Sequence, residues 1–447
     1  MNTENKSFEK AHNLVRNSVT LKVVTITIMV LLLLIPTEMV KSIIGERETL
    51  NYAATNEVGS KWAGPQQLNG PILTIPVVYE VVNADQKSEV VKYWHILPEE
   101  LKIDGTIQPE KLRRGIYEVV VYKSKCSFTG KFDLDKSIDR NSLKEIRYDQ
   151  AFLTLGITDL RGIKDEIVLN WNDEKLKVKP GSTLSDLIYS GVTIDLPDLS
   201  DNLQNKIDFD FALNLQGSQS MSFVPLGNTT EVNLTSNWPS PSFDGNFLPD
   251  SREVSATGFT ANWKILQLNR NIPQSWVYGD QRENLNNAAF GVDLILPLDD
   301  YQKSMRSAKY SVLTIALTFL IFFLVEILNR RKIHPFQYTL VGLALILFYV
   351  LLISISEHTN FNVAYFISTV AIVSMVSLYS MSIFKLRKFT MILTTILAAI
   401  YGFLFVTLQL EDYALLMGSI GLTIILGATM YFTRKINWYQ LNFESQE

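Results

Sequence analysis

Cysteine and histidine are scarce in this chain of 447 residues, which holds one cysteine, Cys126, and four histidines. A lone cysteine cannot form an intramolecular disulfide, so each folded part of the chain must be stable without one. These five residues are also scattered along the sequence, which argues against a metal site of familiar ligand spacing. From the sequence we expect neither a bound metal nor a cofactor.

Strong positive charge and catalytic motifs are missing as well. Charged residues make up 19% of the chain and the net charge is −4, a balance that argues against nucleic acid as a partner. The sequence holds no G-x-S-x-G elbow, no H-E-x-x-H motif and no P-loop. An S-x-x-K match at residues 382–385 has no S-D-N or K-T-G companion. The sequence therefore predicts a protein that is not an enzyme.

Long apolar runs, by contrast, are abundant. A helix of roughly 20 apolar residues crosses the hydrocarbon core of a bilayer. Five runs near that length lie at residues 311–328, 336–356, 361–384, 389–410 and 413–432. Another run, at residues 23–36 and therefore the first of six in chain order, follows a polar stretch and has no small-x-small cleavage site behind it, which is typical of an uncleaved anchor. The sequence predicts a multi-pass membrane protein with six transmembrane helices, one at residues 23–40 and five within 311–432.

The residues between the runs predict how these helices are oriented. Short cytoplasmic loops accumulate Lys and Arg. Basic residues follow the second, fourth and sixth runs, whereas acidic residues follow the third and the fifth. This alternation predicts cytoplasmic tails at residues 1–22 and 433–447. It places the long polar segment at residues 41–310 on the extracytoplasmic side.

The long polar segment has the alternation of β-strands. Between residues 207 and 216 apolar and polar side chains alternate, which places one face of a strand in a core and the other in water. Similar runs lie at residues 71–82, 90–98, 115–132, 258–268 and 290–298, and two more flank Asn172 and Asp173 as a hairpin. Residues 41–58 have helical character, and residues 236–254 are expected to form a loop rich in Pro, Gly and Asn. The pattern predicts an α+β protein with a large β-rich, antiparallel domain of sandwich or barrel type.

Several segments of the sequence resemble those of a known family. They are GPQQLNGPILTIPV and the stretches at residues 211–227, 234–263, 331–361 and 434–440. On these phrases the chain resembles the CreD family, the cell envelope integrity family of bacterial inner-membrane proteins. The resemblance implies a Gram-negative inner-membrane protein with its β-rich domain in the periplasm, produced under a two-component regulatory system. It implies a connection with envelope integrity, and with colicin tolerance on overproduction, but no agreed activity and no catalytic residues.

Glu326 is a candidate functional residue because it lies inside the second apolar run, about one turn from its cytoplasmic end. A carboxylate inside a span is costly unless it is paired or hydrated. Arg330, four residues later, has the spacing and order that favour an ion pair on one helix face. We favour this structural pairing over a proton, ion or partner contact, and it predicts that Glu326→Gln lowers stability only slightly.

Glu357 and His358 lie where the third run meets the extracytoplasmic surface. A histidine beside a carboxylate can titrate near neutral pH, and so could sense acidity or bind a lipid headgroup. The simpler interpretation, which we favour, is a solvated cap at the end of the helix.

Three aromatic residues, Trp238, Phe243 and Phe247, stand among prolines in the expected loop. Rigid aromatic loops are common recognition surfaces. The same side chains can instead fold back onto the sheet as part of its core, which is the interpretation we favour.

Two classes of function remain open. The first is a non-catalytic envelope protein, held in the lipid bilayer by its helices, whose β-rich domain binds an envelope protein, a lipid or a cell-wall component. The alternative is a transporter or channel for a small molecule or a lipid, built on the five clustered helices. Transport requires polar groups or broken helices at the bilayer midplane. The spans offer mainly Ser and Thr, so the sequence favours the first class.

Overall fold

The computed structural model describes residues 19–83, 86–172, 174–200, 206–295, 299–329, 333–384, 387–410 and 413–434. The chain divides into two compact units. One, the helical unit, comprises Met1–Leu50 with Leu298–Glu447, and the other, the β-rich unit, comprises Asn51–Pro297. The class is α+β, as the sequence predicts.

Six of the eight helices that the structure describes follow the apolar runs of the sequence, and the two short ones, Arg282–Asn287 and Asp299–Lys309, are polar. In chain order, α1 to α8 are Val19–Trp62, Arg282–Asn287, Asp299–Lys309, Ser311–Asn329, Pro335–Ser356, Phe361–Phe384, Arg387–Gln409 and Ala414–Thr433. Among the described residues, α1, α5, α6 and α7 are long and apolar enough to cross a membrane. The pair α3 and α4 meets that criterion only when taken together across a 43° bend, and α8 holds the shorter apolar stretch Leu416–Tyr431. These criteria give four or five candidate spans, where the sequence predicts six.

The first helix is much longer than its apolar run. The chain is helical throughout α1, which includes Pro36, and residues 41–58 are helical as predicted. Within the proline-containing turn the Thr37 hydroxyl donates to the Leu33 carbonyl at 2.8 Å. Pro36 lacks the N–H that would donate to the Leu32 carbonyl, and the Thr37 bond strengthens the next link of the same turn.

The β-rich unit is built from two sheets. Its strands β1 to β18, in chain order, are Gln66–Asn83, Gln86–Ile96, Glu100–Arg114, Tyr117–Asp133, Leu143–Ile146, Phe152–Ile157, Val168–Trp171, Glu174–Lys177, Lys179–Pro180, Gly191–Asp195, Lys206–Ser218, Ser220–Phe223, Thr229–Ser236, Pro241–Gly245, Ser251–Ser255, Gly258–Leu266, Ser275–Trp276 and Phe290–Leu294. One sheet has the order β15-β16-β13-β3-β4-β11-β7-β8. The other has the order β14-β18-β12-β1-β6-β10-β9, with β2 and β5 also paired to β1 and with β17 paired to β2.

The strand pairing is mostly antiparallel, as the sequence predicts, with two exceptions. β1 pairs with β12 and β3 pairs with β13 in parallel. Alternate residues of β11 are buried from Ile207 to Leu213, which confirms the predicted periodicity. Phe211 stacks on Phe128 of β4 with ring centroids 4.7 Å apart, and one hydrophobic cluster contains side chains of both sheets. The strands on either side of the Asn172 turn form the predicted hairpin, and Asp173 lies outside the described residues.

The expected loop at residues 236–254 is partly wrong, because the structure forms two short strands there. Pro241–Gly245 pairs with β18, and Ser251–Ser255 pairs with β16. Each is the last strand in the order of its sheet. An edge strand tolerates proline because one side of its backbone needs no partner. The prolines of this segment therefore predicted a loop where the structure has a strand.

Candidate functional site

The carboxylate of Glu326 is buried within the helical unit, where its side chain is 0% exposed. Its Oε1 atom accepts from the Lys22 ammonium and from the Ile333 backbone N–H at 2.8 Å. Its Oε2 atom accepts from the Tyr338 hydroxyl at 2.9 Å. Both oxygens are thus satisfied, and the opposite charge comes from α1.

Lys22 completes this cluster, which we call the Glu326 cluster and define as Lys22, Glu326, Ile333 and Tyr338. The Lys22 ammonium, 17% exposed as a side chain, also donates to the Ile333 carbonyl at 2.9 Å. A buried carboxylate is tolerated when it is paired and hydrogen-bonded in this way. The cluster therefore joins the start of α1 to the end of α4 and the start of α5.

The sequence predicts a different ion-pair partner for Glu326. Arg330, the expected partner, lies outside the described residues, as does Lys385 of the S-x-x-K match. Lys22 is 304 positions away from Glu326 along the chain, and no spacing rule connects two such residues. Only the basic character of the stretch before the first apolar run hints that a cation is available there.

Glu357 ends α5, and the exposed His358 follows it. Glu357 lies 3.5 Å from the Arg47 guanidinium of α1, measured from Oε1 to Nε. The His358 backbone N–H donates to the Ile355 carbonyl at 3.0 Å, which continues the last turn. His358 is exposed, but the Glu357 side chain is only 11% exposed and has an arginine of another helix beside it, so the solvated cap stays a prediction.

The three aromatic candidates lie against the core of the β-rich unit. Trp238 is 8% exposed, and its indole N–H donates to the Ile295 carbonyl at 3.1 Å. Phe243 packs edge-on against Trp263 with ring centroids 5.8 Å apart. The Phe247 carbonyl accepts from the Trp263 indole N–H at 3.1 Å. These positions match the interpretation in which the segment folds back onto the sheet.

The β-rich unit also contains an open polar cleft that the sequence does not reveal. Its volume is about 570 Å³, within the range of small-molecule sites. We call it the His95 cleft, lined among others by Tyr93, His95, Asp186, Trp276, Gln281 and Arg282. Residues from two strands, one helix and the loop before β10 therefore meet at one place.

Strand register explains why a histidine and a tryptophan meet in this cleft. Thr74 of β1 lies opposite His95 of β2, and His95 lies opposite Trp276 of β17, so the three form one row across the sheet. His95 Nδ1 lies 3.0 Å from the Thr74 hydroxyl, and its ring lies 5.1 Å from the Trp276 ring between centroids. Burial lowers the pKa of His95 to about 4, so the ring is neutral at pH 7.

Thr74 and His95 lie at hydrogen-bond distance, but Thr74 lacks the exposure that a nucleophile needs. Thr74 is fully buried, so its hydroxyl has no access to a substrate in the cleft. The thiol of Cys126 is also buried, and burial raises its pKa to about 12. Within the described ranges, no three His, Cys, Asp or Glu residues are grouped so that they could hold a metal ion.

The chain was compared with protein families and with curated proteins. The model of the family described as "Inner membrane protein CreD" matches residues 18–439. The chain belongs to the CreD family. It is 37% identical to the inner membrane protein CreD of Escherichia coli strain K12 over 416 residues, which cover 92% of this chain and 91% of that protein. Membership of the CreD family, together with the apolar helices, identifies an inner-membrane protein with a large β-rich unit.

Proposed function

We propose that this CreD family member is a non-catalytic inner-membrane protein of envelope integrity, whose β-rich unit lies in the periplasm and binds an envelope component. That component is an envelope protein, a lipid or a part of the cell wall. The observation that carries the proposal is the His95 cleft, an open polar cavity in a unit with its own hydrophobic core. On the basis of the resemblance to the family, the proposed role includes colicin tolerance when the protein is overproduced.

Two contacts of α1 support six spans with both termini in the cytoplasm. Lys22 contacts Glu326 at the end of α4, and Arg47 contacts Glu357 at the end of α5. A helix rises 1.5 Å per residue, so Lys22 and Arg47 lie roughly 37 Å apart, somewhat more than the thickness of a hydrocarbon core. The end of α4 then lies on the Lys22 side, and acidic Glu357 lies on the other, which agrees with the orientation that the charged loops predict.

The alternative function, a transporter built on the helices, has less support. A crevice of about 270 Å³ lies among α4, α7 and α8 of the helical unit. Its walls are mainly apolar, with Leu317, Ile400, Phe403 and Leu422 among them. A path for a polar solute needs polar groups in the membrane interior, so this crevice does not favour transport.

Cysteine labelling tests the orientation on the full chain. Tyr189 is 92% exposed in the β-rich unit, and the native Cys126 is buried. We expect a membrane-impermeant maleimide added to spheroplasts to label a Tyr189→Cys variant and to leave the parent protein unlabelled. Labelling of the variant only after the membrane is broken would place the β-rich unit in the cytoplasm and would refute the proposal.

Removal of the β-rich unit tests where the function resides. We expect a chain that keeps all its apolar helices but lacks the strands to lose its effect on envelope integrity, read as detergent sensitivity and colicin tolerance on overproduction. The comparison requires equal membrane levels of the two proteins. A full effect from the shortened protein would assign the function to the helices and would revive the transporter alternative.

A further inference from the structure

The cations that line the His95 cleft are already engaged by protein groups. Arg282 donates from Nε to the Asp186 carbonyl at 2.6 Å and from Nη2 to the Ser185 carbonyl at 3.3 Å. The Lys92 ammonium lies 3.8 Å from the centroid of the Tyr278 ring, a cation–π contact. A bidentate anion site needs a guanidinium fork directed at the ligand, and here two of the three guanidinium nitrogens bind a loop.

The net charge of the cleft is also balanced. Lys92 and Arg282 are offset by the carboxylates of Asp186 and Asp280, which line the same cavity. His95 adds no charge at neutral pH because its pKa is about 4. A strongly charged ligand of either sign would therefore gain little from this cavity, whereas a neutral polar ligand meets no repulsion.

Aromatic and planar polar side chains make up the rest of the lining. Tyr93 is 41% exposed and is held edge-on against Phe152, with centroids 6.2 Å apart. Trp276 forms a wall beside His95. The Gln281 side-chain carbonyl accepts from Asn284 at 2.7 Å, which leaves its amide N–H groups to donate. The lining thus combines apolar ring faces with a few placed donors and acceptors.

This combination corresponds to one class of ligand. A pyranose ring has apolar C–H faces that pack on aromatic rings, and equatorial hydroxyls that pair with carboxylates, amides and a neutral imidazole. We propose that the His95 cleft binds a neutral glycan, with Tyr93 and Trp276 as the aromatic surfaces and with His95, Asp186 and Gln281 as hydrogen-bonding groups. This inference rests on the proposed function and names the chemical class of the envelope component.

The test is direct binding to the full chain, purified in detergent, by isothermal titration calorimetry. The probes are chitotetraose, a chain of N-acetylglucosamine related to cell-wall glycan, and maltotetraose, a glucose chain without acetamido groups. We expect saturable binding of at least one of them, and the preferred probe indicates the source of the glycan. Inorganic phosphate serves as the charged probe and is expected not to compete.

Two variants assign the binding to the cleft. We expect Tyr93→Ala and Gln281→Ala each to weaken binding of the preferred tetrasaccharide at least tenfold. The matched control is Tyr117→Ala, which changes a half-buried tyrosine in β4 of the other sheet and should leave binding unchanged. Circular dichroism spectra and melting curves identical to those of the parent show that the variants fold.

The results separate this inference from the proposed function. The glycan proposal is overturned if the folded parent protein binds neither tetrasaccharide at about 10 mM, tenfold above a Kd of 1 mM. It is also overturned if the cleft variants bind like the parent, or if phosphate displaces the sugar. Periplasmic labelling of Tyr189→Cys together with any of these results would leave the proposed function standing, whereas cytoplasmic labelling would refute that function whatever the sugars do.

Discussion

The helical unit and the β-rich unit each bury a charged side chain, but they satisfy it differently. Glu326 of the helical unit forms an ion pair with Lys22. Arg270 of the β-rich unit is 9% exposed, and none of the ion pairs found among the described residues includes it. Its guanidinium donates instead to the Ile272 and Leu226 carbonyls, at 2.7 and 2.8 Å, and to the side-chain carbonyl of Gln274 at 2.8 Å.

The difference follows from which backbone groups each unit leaves without a hydrogen bond. In a helix nearly every backbone N–H and carbonyl is already paired within the helix, so a buried charge is satisfied mainly by side chains and by the few backbone groups at helix ends. In a β-rich unit the loops between strands keep free carbonyls, which can surround a cation. Burial nevertheless lowers the pKa of Arg270 to about 10. Both residues join segments that are distant in sequence, and each does so with the partners its surroundings supply.

Removing the charge of Glu326 is the strongest test of this contrast. Glu326→Ala removes the carboxylate of the buried pair, and losing one partner of such a pair costs about 3 kcal/mol or more. We also expect Glu326→Gln to lower stability clearly, in contrast to the slight loss that pairing with a nearby Arg330 predicts. Unfolding in mixed micelles, followed by circular dichroism, measures the free energy.

The control is the double variant Lys22→Met with Glu326→Met, compared with the single variants Lys22→Met and Glu326→Met. It removes both charges, so it should recover much of the stability that either single change loses. Equal stabilities of the parent and Glu326→Ala would contradict the account of a buried pair, and so would losses in the two single variants that simply add.

Arg270→Met is expected to have the second-largest effect. Methionine fills similar space but cannot donate, so the carbonyls of Leu226 and Ile272 lose their partner at a cost of about 2 kcal/mol. Chemical unfolding followed by tryptophan fluorescence reports on this unit, because six of the seven tryptophans lie within residues 51–297. The control is Arg113→Met, whose side chain is 78% exposed. A loss no greater than that of the control would show that the carbonyl contacts contribute little.

The sequence predicts the parts of the fold that repeat a pattern. Alternation identifies strands such as β11, and apolar length identifies α5, α6 and α7, because burial on one face or in lipid imposes a period on the residues. Pairing is harder to predict. The parallel contacts β1–β12 and β3–β13 depend on which distant strands meet, and no local signal encodes that choice.

The candidate sites show the same limit. Glu326 is recognisable as unusual because a carboxylate within an apolar run is costly. Its partner, Lys22, is supplied by tertiary packing and cannot be found by spacing. The His95 cleft depends on the register of three strands that bring Thr74, His95 and Trp276 into one row. A histidine and a tryptophan 181 positions apart, at residues 95 and 276, carry no local signal of that contact.

The smallest expected effect concerns Asp159 of the β-rich unit, a half-buried carboxylate whose partner, Arg161, is 61% exposed as a side chain. Its Oδ2 atom accepts from the Gly64 backbone N–H at 2.9 Å and from Arg161 at 2.6 Å. The Arg161 hydrogen bond lowers the pKa of Asp159 to about 2. The contribution of Asp159 to stability is therefore complete above the unfolded-state pKa, near 4, and is lost as pH falls toward 2.

Asp159→Asn should remove this pH dependence and lower the free energy of unfolding by about 1 kcal/mol at pH 7, because the pair is partly screened by water. Tryptophan fluorescence during chemical unfolding at several pH values between 2 and 7 measures both quantities. Asp149→Asn, which changes an exposed aspartate in the same unit, is the control and should leave the pH profile unchanged. If Asp159→Asn keeps the slope of the parent between pH 2 and 4, other carboxylates produce it, and ion pairing contributes to stability in this molecule mainly where water is excluded, as in the Glu326 cluster.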